Sequence, residues 1–262
     1  MNKSLLLSIF AVLSNSAFAQ VSAPTVAAPI STSFGLTQRV NKGSVEFQVM
    51  SDNAINSANN TVMHLTTTTT AVSTTTSTKG VSKTTTKTTS STKSAAATPL
   101  FDQKETGLSL ATTAVVNLTS APSSSSSTAG STTTTTTTNV NQPGGTPNRY
   151  LQLRVLDGGD GNAFDHADWA GAKVTCSDGD HYLSDLTSKL VTPATRNGWG
   201  PFETDSSNGE YLAGDGHPIS LRGTFYQKGL GVHATSVLVF DLNNMGCTTF
   251  TSDIGVDDEV AG

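Results

Sequence analysis

Two tracts of this 262-residue chain, 65–96 and 123–138, are dominated by threonine and serine. A segment so poor in apolar side chains cannot offset the entropy of ordering its backbone. Both tracts are therefore expected as long, disordered, solvated loops, despite threonine's own preference for strand. Setting them aside leaves roughly 140–150 residues, the size of one ordinary domain with a single hydrophobic centre.

In that remainder apolar and polar residues alternate. Val45, Phe47 and Val49 flank Glu46 and Gln48; Leu151, Leu153 and Val155 flank Gln152 and Arg154; Leu238, Phe240 and Leu242 share one face of a third run. A period of two marks half-buried strands. Thr112–Leu118 and Thr249–Val256 repeat the pattern more weakly, and no helical stripe persists for three turns. With Gly- and Asp-rich turns between the runs, the expected class is all-β, an antiparallel β-sandwich rather than βαβ units.

At the amino terminus, Lys3, the apolar run Leu5–Leu13 and Ala17-Phe18-Ala19 before Gln20 read as a secretion signal over 1–19, with cleavage near Ala19. The run is too short to span a membrane, so a secreted, periplasmic or surface location is expected, with no membrane insertion. Residues 20–42 then form a linker. Export permits a Cys176–Cys247 disulfide, worth about 4 kcal/mol in the chain-entropy model; two buried free thiols are the alternative.

From Arg149 onward 16 acidic residues stand against seven lysines and arginines, a charge near −9. Nucleic acid would demand a basic face and is excluded as a partner; sugars or cations suit the balance better. No GxSxG, HExxH or phosphate-cradling glycine loop occurs, so no enzymatic activity is expected and glycoside hydrolysis is the weaker reading.

Four segments, YLSDL (182–186), GWGPFETDSSNGE (198–210), AGDGHPISLRGTFYQKGLGVHA (213–234) and CTTFTSDIGVDDEV (247–260), resemble the first half of the NPCBM domain, a carbohydrate-binding module also called carbohydrate-binding module family 51. GSVEFQV (43–49), LFDQKETGL (100–108), AVVNL (114–118) and RYLQLRVLDGGDGNAFDHADWAGAKVTC (149–176) resemble its second half. The halves stand in reversed order. The resemblance thus implies one circularly permuted sandwich over 43–262, of jelly-roll, galactose-binding-domain-like type. Low-complexity insertions occupy about 51–98 and 121–148, and the new junction lies at 177–180. Permutation is tolerated where native ends lie close and the new break is an exposed turn. It predicts that strands 44–50 and 249–256 pair as antiparallel neighbours in one monomer; exchange of halves between chains, giving an oligomer, is the rival arrangement.

The resemblance implies binding of terminal sugars, galactose-containing glycans foremost, with a glycoside hydrolase as a further partner. A surface protein that keeps the fold without sugar binding is the alternative. A sugar site needs an apolar face for the ring and polar groups for its hydroxyls. Trp169 and Trp199 are candidates for the first; Asp165, His166, Asp168, Glu203 and His233 for the second. Burial in the core is the competing reading of Trp169, and a core hydrogen bond that of His233. Asp157, Asp160 and the Asp257-Asp258-Glu259 run offer hard oxygens for a structural calcium, or else cap turns and bond backbone amides.

Overall fold

A computed structural model describes residues 43–56, 58, 61–78, 81–129, 132–141 and 146–261. The expected signal segment 1–19 and the expected linker 20–42 lie outside the described residues. In chain order the strands are β1 (Ser44–Asp52), β2 (Ala54–Ile55), β3 (Val62–Thr78), β4 (Val81–Ala96), β5 (Phe101–Thr106) and β6 (Thr112–Asn117). Next come β7 (Thr119–Ala129), β8 (Thr132–Asn141), β9 (Thr146–Pro147), β10 (Tyr150–Leu156), β11 (His166–Cys176) and β12 (Gly179–Tyr182). The last are β13 (Glu203–Thr204), β14 (Ser220–Leu221), β15 (Thr224–Phe225), β16 (Gly229–His233), β17 (Ser236–Asp241) and β18 (Thr249–Val256), followed by the one-turn helix α1 (Asp258–Ala261). Every ladder between them is antiparallel.

Two sheets enclose the core. One has the order β17-β10-β1-β5, the other β13-β16-β11-β18-β6 with β12 also paired to β11. The alternation read from sequence sets the inward faces: Val45, Phe47 and Val49 of β1, Leu151, Leu153 and Val155 of β10, and Leu238 and Phe240 of β17 are fully buried from one side. Ala167 and Trp169 of β11, Leu230 and Val232 of β16, and Phe250 and Ile254 of β18 meet them from the other. Trp169 spans the gap, its ring edge-on to Phe47 at 4.9 Å and 6.0 Å from Phe250, a geometry that adds to its area burial. All described residues fall in one unit, Gln38–Gly262, and the chain is an all-β antiparallel sandwich.

Two expectations change. The strands at 44–52 and 249–256 are not neighbours: β1 pairs with β10 and β5, whereas β18 pairs with β11 and β6. They face each other across the core, because each keeps its apolar side inward and its ladder within its own sheet. The Thr/Ser tracts are also extended and paired rather than left as loops. A third sheet runs β2-β3-β8-β7-β9, with β4 paired to β3 from Met63↔Ala96 to Thr78↔Val81. Backbone hydrogen bonding in local hairpins and the β-branched chemistry of threonine take the place of an apolar face. On β4 residues 84–94 are all exposed.

Cys176 and Cys247 are disulfide-bonded, joining the end of β11 to the approach to β18. The expected junction is a two-residue turn, Ser177-Asp178, between Cys176 and its partner Gly179 in the β11–β12 hairpin.

Candidate functional site

Alternation along β11 sends Ala167 and Trp169 into the core and His166 and Asp168 to the outer face of their sheet. That face is covered rather than open. Glycines make room for the cover: a Cβ on Gly231 would lie 2.3 Å from the Ser206 carbonyl oxygen, and one on Gly229 would meet Ile219 at 2.7 Å. The segment from Asp205 to Tyr226 therefore lies directly on the sheet, with Ala170, Ile219 and Leu221 forming a small apolar cluster beneath it.

His166 is the hub of the polar part. It is 4% exposed, its Nδ1 sits 2.6 Å from Glu259 Oε1 and its Nε2 sits 2.9 Å from Glu210 Oε1. Burial pulls the ring toward neutrality, but the two carboxylates outweigh it and raise its pKa, favouring the imidazolium. Glu259 also accepts the Ser207 hydroxyl at 3.0 Å, so His166 ties the covering loop to the chain's end. The His233 ring lies 5.1 Å from that of His166, edge-on. Its Nδ1 bonds the Ala234 carbonyl at 2.9 Å, and burial, with His166 adding to it, lowers its pKa.

Glu210 carries two marks that sequence reasoning missed. Its φ of +74° is a left-handed conformation that costs a side-chain-bearing residue of order 1 kcal/mol. Its carbonyl oxygen packs against Gly200, where a Cβ would stand 2.3 Å away. That approach brings the Asn197–Pro201 turn, and Trp199 with it, to the edge of the His166 network. Asn197 builds the turn, its Nδ2 donating to the carbonyls of Trp199, Gly200 and Pro201 while its Oδ1 accepts the His233 N–H. Trp199 is 52% exposed and Tyr211, next to Glu210, 74%. Trp199, Tyr211 and the partly exposed Glu210 thus stand on two loop segments that touch through Gly200 and Glu210, a candidate rim. An open cleft of about 470 Å³ lies beside the same turn, bordered by Leu190, Thr195, Arg196, Asn197 and Phe202.

The other expected ligands lie deeper. Trp169 is fully buried, so it serves as packing between the sheets and offers no face to a sugar. Glu203 is 5% exposed and accepts the Gly214 N–H on both oxygens, at 2.8 and 2.9 Å, a cap for the covering loop. Asp165 is fully buried; its Oδ1 accepts the Ser44 N–H at 3.2 Å and its Oδ2 has no partner. Burial, opposed by that hydrogen bond and aided by Asp160 and Asp157, pushes its pKa up to about 7. Asp168 is fully buried, no N–H or hydroxyl donates to either of its oxygens, and its carboxyl neighbours that of Asp257. Of the seven residues expected to bind ligand, the rim holds Trp199 and the edge of His166.

Asp157 and Asp160 sit in the turn before Asp165, where Asp157 Oδ1 accepts the Gly159 N–H at 3.0 Å. A calcium there would draw most of its oxygens from backbone and water, since neither joins a set of three close acidic, histidine or cysteine ligands among the described residues. The set that does form is Cys176, Asp178 and His181, and its sulfur is committed to the disulfide. A further cleft of about 570 Å³, between Leu108, Leu110, Arg222, Gly223 and Asp258, is lined by none of the residues expected to bind sugar. No helix among the described residues is long and apolar enough to cross a membrane.

A putative endo-alpha-N-acetylgalactosaminidase of Renibacterium salmoninarum is 47% identical over 79 residues, covering 30% of this chain and 5% of that protein's length. No solved structure matches significantly. Residues 179–262, which supply β12–β18, the covering loop, the Trp199 turn and Glu259, match the family model of the NPCBM/NEW2 domain.

Proposed function

We propose that this protein is a secreted, noncatalytic glycan-binding module whose sugar contact is the rim of Trp199, Tyr211 and Glu210 above His166. The observation that carries the reading is the exposed Trp199 beside Gly200, which packs against the Glu210 backbone, inside the segment that matches the NPCBM/NEW2 domain. An indole face covers one side of a pyranose, and the free oxygen of Glu210 accepts hydroxyl hydrogen bonds in the ring plane. Terminal galactose or N-acetylgalactosamine is the ligand class to try first, given the name of the relative. A shallow rim gives weak single-site affinity, so retention on a surface needs several copies.

Glycan-array binding followed by titration calorimetry tests this. Trp199→Ala is expected to remove at least 90% of the binding, about a tenfold or greater loss, with the melting temperature unchanged. Absence of binding to every glycan, or undiminished binding by Trp199→Ala, refutes the site.

The permuted order belongs to the same reading, resting on contacts at the start of β11 in place of the β1–β18 pairing, which does not form. Both ends of the sandwich meet at one place on β11: Ser44 N–H donates to Asp165, while Asp257 N–H donates to the His166 carbonyl at 3.0 Å. The NPCBM/NEW2 match stops short of β1, β10 and β11, yet their side chains share one core with the matched part. A gene rewired to open at Ser177-Asp178, with the old ends joined by a short linker, is expected to fold to a monomer of equal stability. An insoluble or exchanged product would count against permutation.

A further inference from the structure

We propose that Cys176, Asp178, His181 and Cys247, when the disulfide is reduced, form a binding site for a thiophilic divalent metal such as zinc. The inference goes beyond glycan binding and does not depend on it. Ligand atoms of Cys176, Asp178 and His181 all lie within 4.8 Å of one another, and the Cys247 sulfur is bonded to that of Cys176. Two sulfurs, an imidazole nitrogen and a carboxylate oxygen are donor types that zinc accepts in tetrahedral sites.

The β11–β12 hairpin brings three of them together. Cys176 ends β11 opposite Gly179, and His181, two residues along β12, lies diagonally across on the same face. Gly179 carries no side chain to stand between the ring and the sulfur. Asp178 sits in the two-residue turn with its Oδ1 2.8 Å from His181 Nε2, a contact that holds its carboxyl below the ordinary range. Asp180 belongs to the other face, where it accepts from Lys173 Nζ and Thr175 Oγ1, each at 2.7 Å.

Cys247 arrives on the connection between β17 and β18, which is tied to the hairpin without help from sulfur. Thr248 N–H donates to the Thr175 carbonyl at 2.8 Å, and Ser177 gives both its N–H and its hydroxyl to the Met245 carbonyl, at 3.2 and 2.9 Å. Breaking the disulfide therefore leaves the two thiols side by side. Ligand atoms on one zinc stand about 3.3–3.8 Å apart, so small side-chain rotations close the group around the ion. Cys247 is 1% exposed and Cys176 9%, whereas Asp178 is exposed and His181 partly so, which opens a path to the sulfurs from solvent.

A phosphine reductant becomes its oxide with the oxygen of one water. The two electrons it gives up and that water's two protons turn the cystine into two thiols. Zinc then displaces both thiol protons. Oxidised glutathione reverses the state: it takes two electrons from the thiolates and two protons from solvent, leaves as two glutathione thiols, and the re-formed disulfide releases the metal. Metal and disulfide are mutually exclusive at this contact.

The test uses the full chain, oxidised and phosphine-reduced, titrated with zinc chloride by calorimetry and with cobalt chloride, whose thiolate charge-transfer absorption reports sulfur ligation. The expected result is a single saturable site with that absorption in the reduced chain and none in the oxidised chain. Affinity should fall at least about tenfold in reduced Cys247→Ser, His181→Ala and Asp178→Ala, and oxidised glutathione should return the zinc to solution, read with a zinc-sensitive dye. Absence of saturable binding by the reduced chain overturns the proposal. Equal binding by the oxidised chain does so too, since it places the metal elsewhere, as does undiminished affinity in His181→Ala or Asp178→Ala, which leaves only a dithiol. Should the reduced chain unfold, zinc is expected to restore its melting transition, and a chain that stays unfolded with zinc present refutes the site.

Discussion

Replacing Asp165 with asparagine should change how the protein's stability depends on pH. Asp165 is fully buried, its Oδ2 has no partner, and its pKa in the folded chain is about 7 against an ordinary 3.8. An acid whose pKa is raised by folding helps the folded state most below its unfolded value, and that help is lost as pH climbs toward the folded value. Each tenfold change in proton affinity is about 1.36 kcal/mol, so ionisation of this one group removes up to about 4 kcal/mol between about pH 4 and pH 7. The asparagine side chain keeps an oxygen for the Ser44 N–H and carries no charge. Asp165→Asn should therefore match the native protein near pH 4 and exceed it by about 2–4 kcal/mol at pH 7.5. Urea unfolding at both pH values, with equal m-values confirming the same transition, measures the difference; the raised Asp168 cancels because both proteins carry it. Parallel pH profiles for native and variant would show that Asp165 is not a strained buried acid, and the argument would fail.

Trp169→Ala should cost about 3–5 kcal/mol in urea unfolding, since the ring fills the gap between the sheets; a loss under about 1 kcal/mol would mean the core is not built on it. Gly231→Ala drives a methyl into the Ser206 and Ser207 backbone and should destabilise by about 1–3 kcal/mol while lifting the covering loop, read as faster amide exchange over 205–217. Unchanged exchange there would place the loop elsewhere. Reduction of Cys176–Cys247, whose separation of 71 residues closes a long loop, should remove up to about 4 kcal/mol, seen as a lower urea midpoint in reductant. No shift would deny it a stabilising role.

The sandwich was legible where one face of a strand is apolar. The runs at 45–49, 151–155 and 238–242 all lie in or at the end of strands because alternation itself fixes which side is buried. Thr66–Thr78 was illegible by the same rule, since backbone pairing leaves no mark in a polar sequence. Partnership across sheets was also hidden: nothing local distinguishes a hairpin between 44–52 and 249–256 from two strands facing across a core. At the site, the DHADW stretch supplies the start of the central strand β11, and alternation along it puts Trp169 on the same inward side as Ala167. Glu210 and Glu259 escaped notice because their importance arises from His166, 44 and 93 residues away, and from a φ that composition does not report. Asparagine or glycine would be the ordinary choice at such a backbone position, and only the fold shows why a glutamate stands there.

The bond between Cys176 and Cys247 has one more consequence, which appears when a protease cuts the chain. A cut anywhere in the loop it closes, including at the exposed Tyr211 and Leu212, leaves two pieces still covalently joined, each holding strands the other needs. A nicked molecule would migrate as intact on a non-reducing gel and come apart only when a thiol is added.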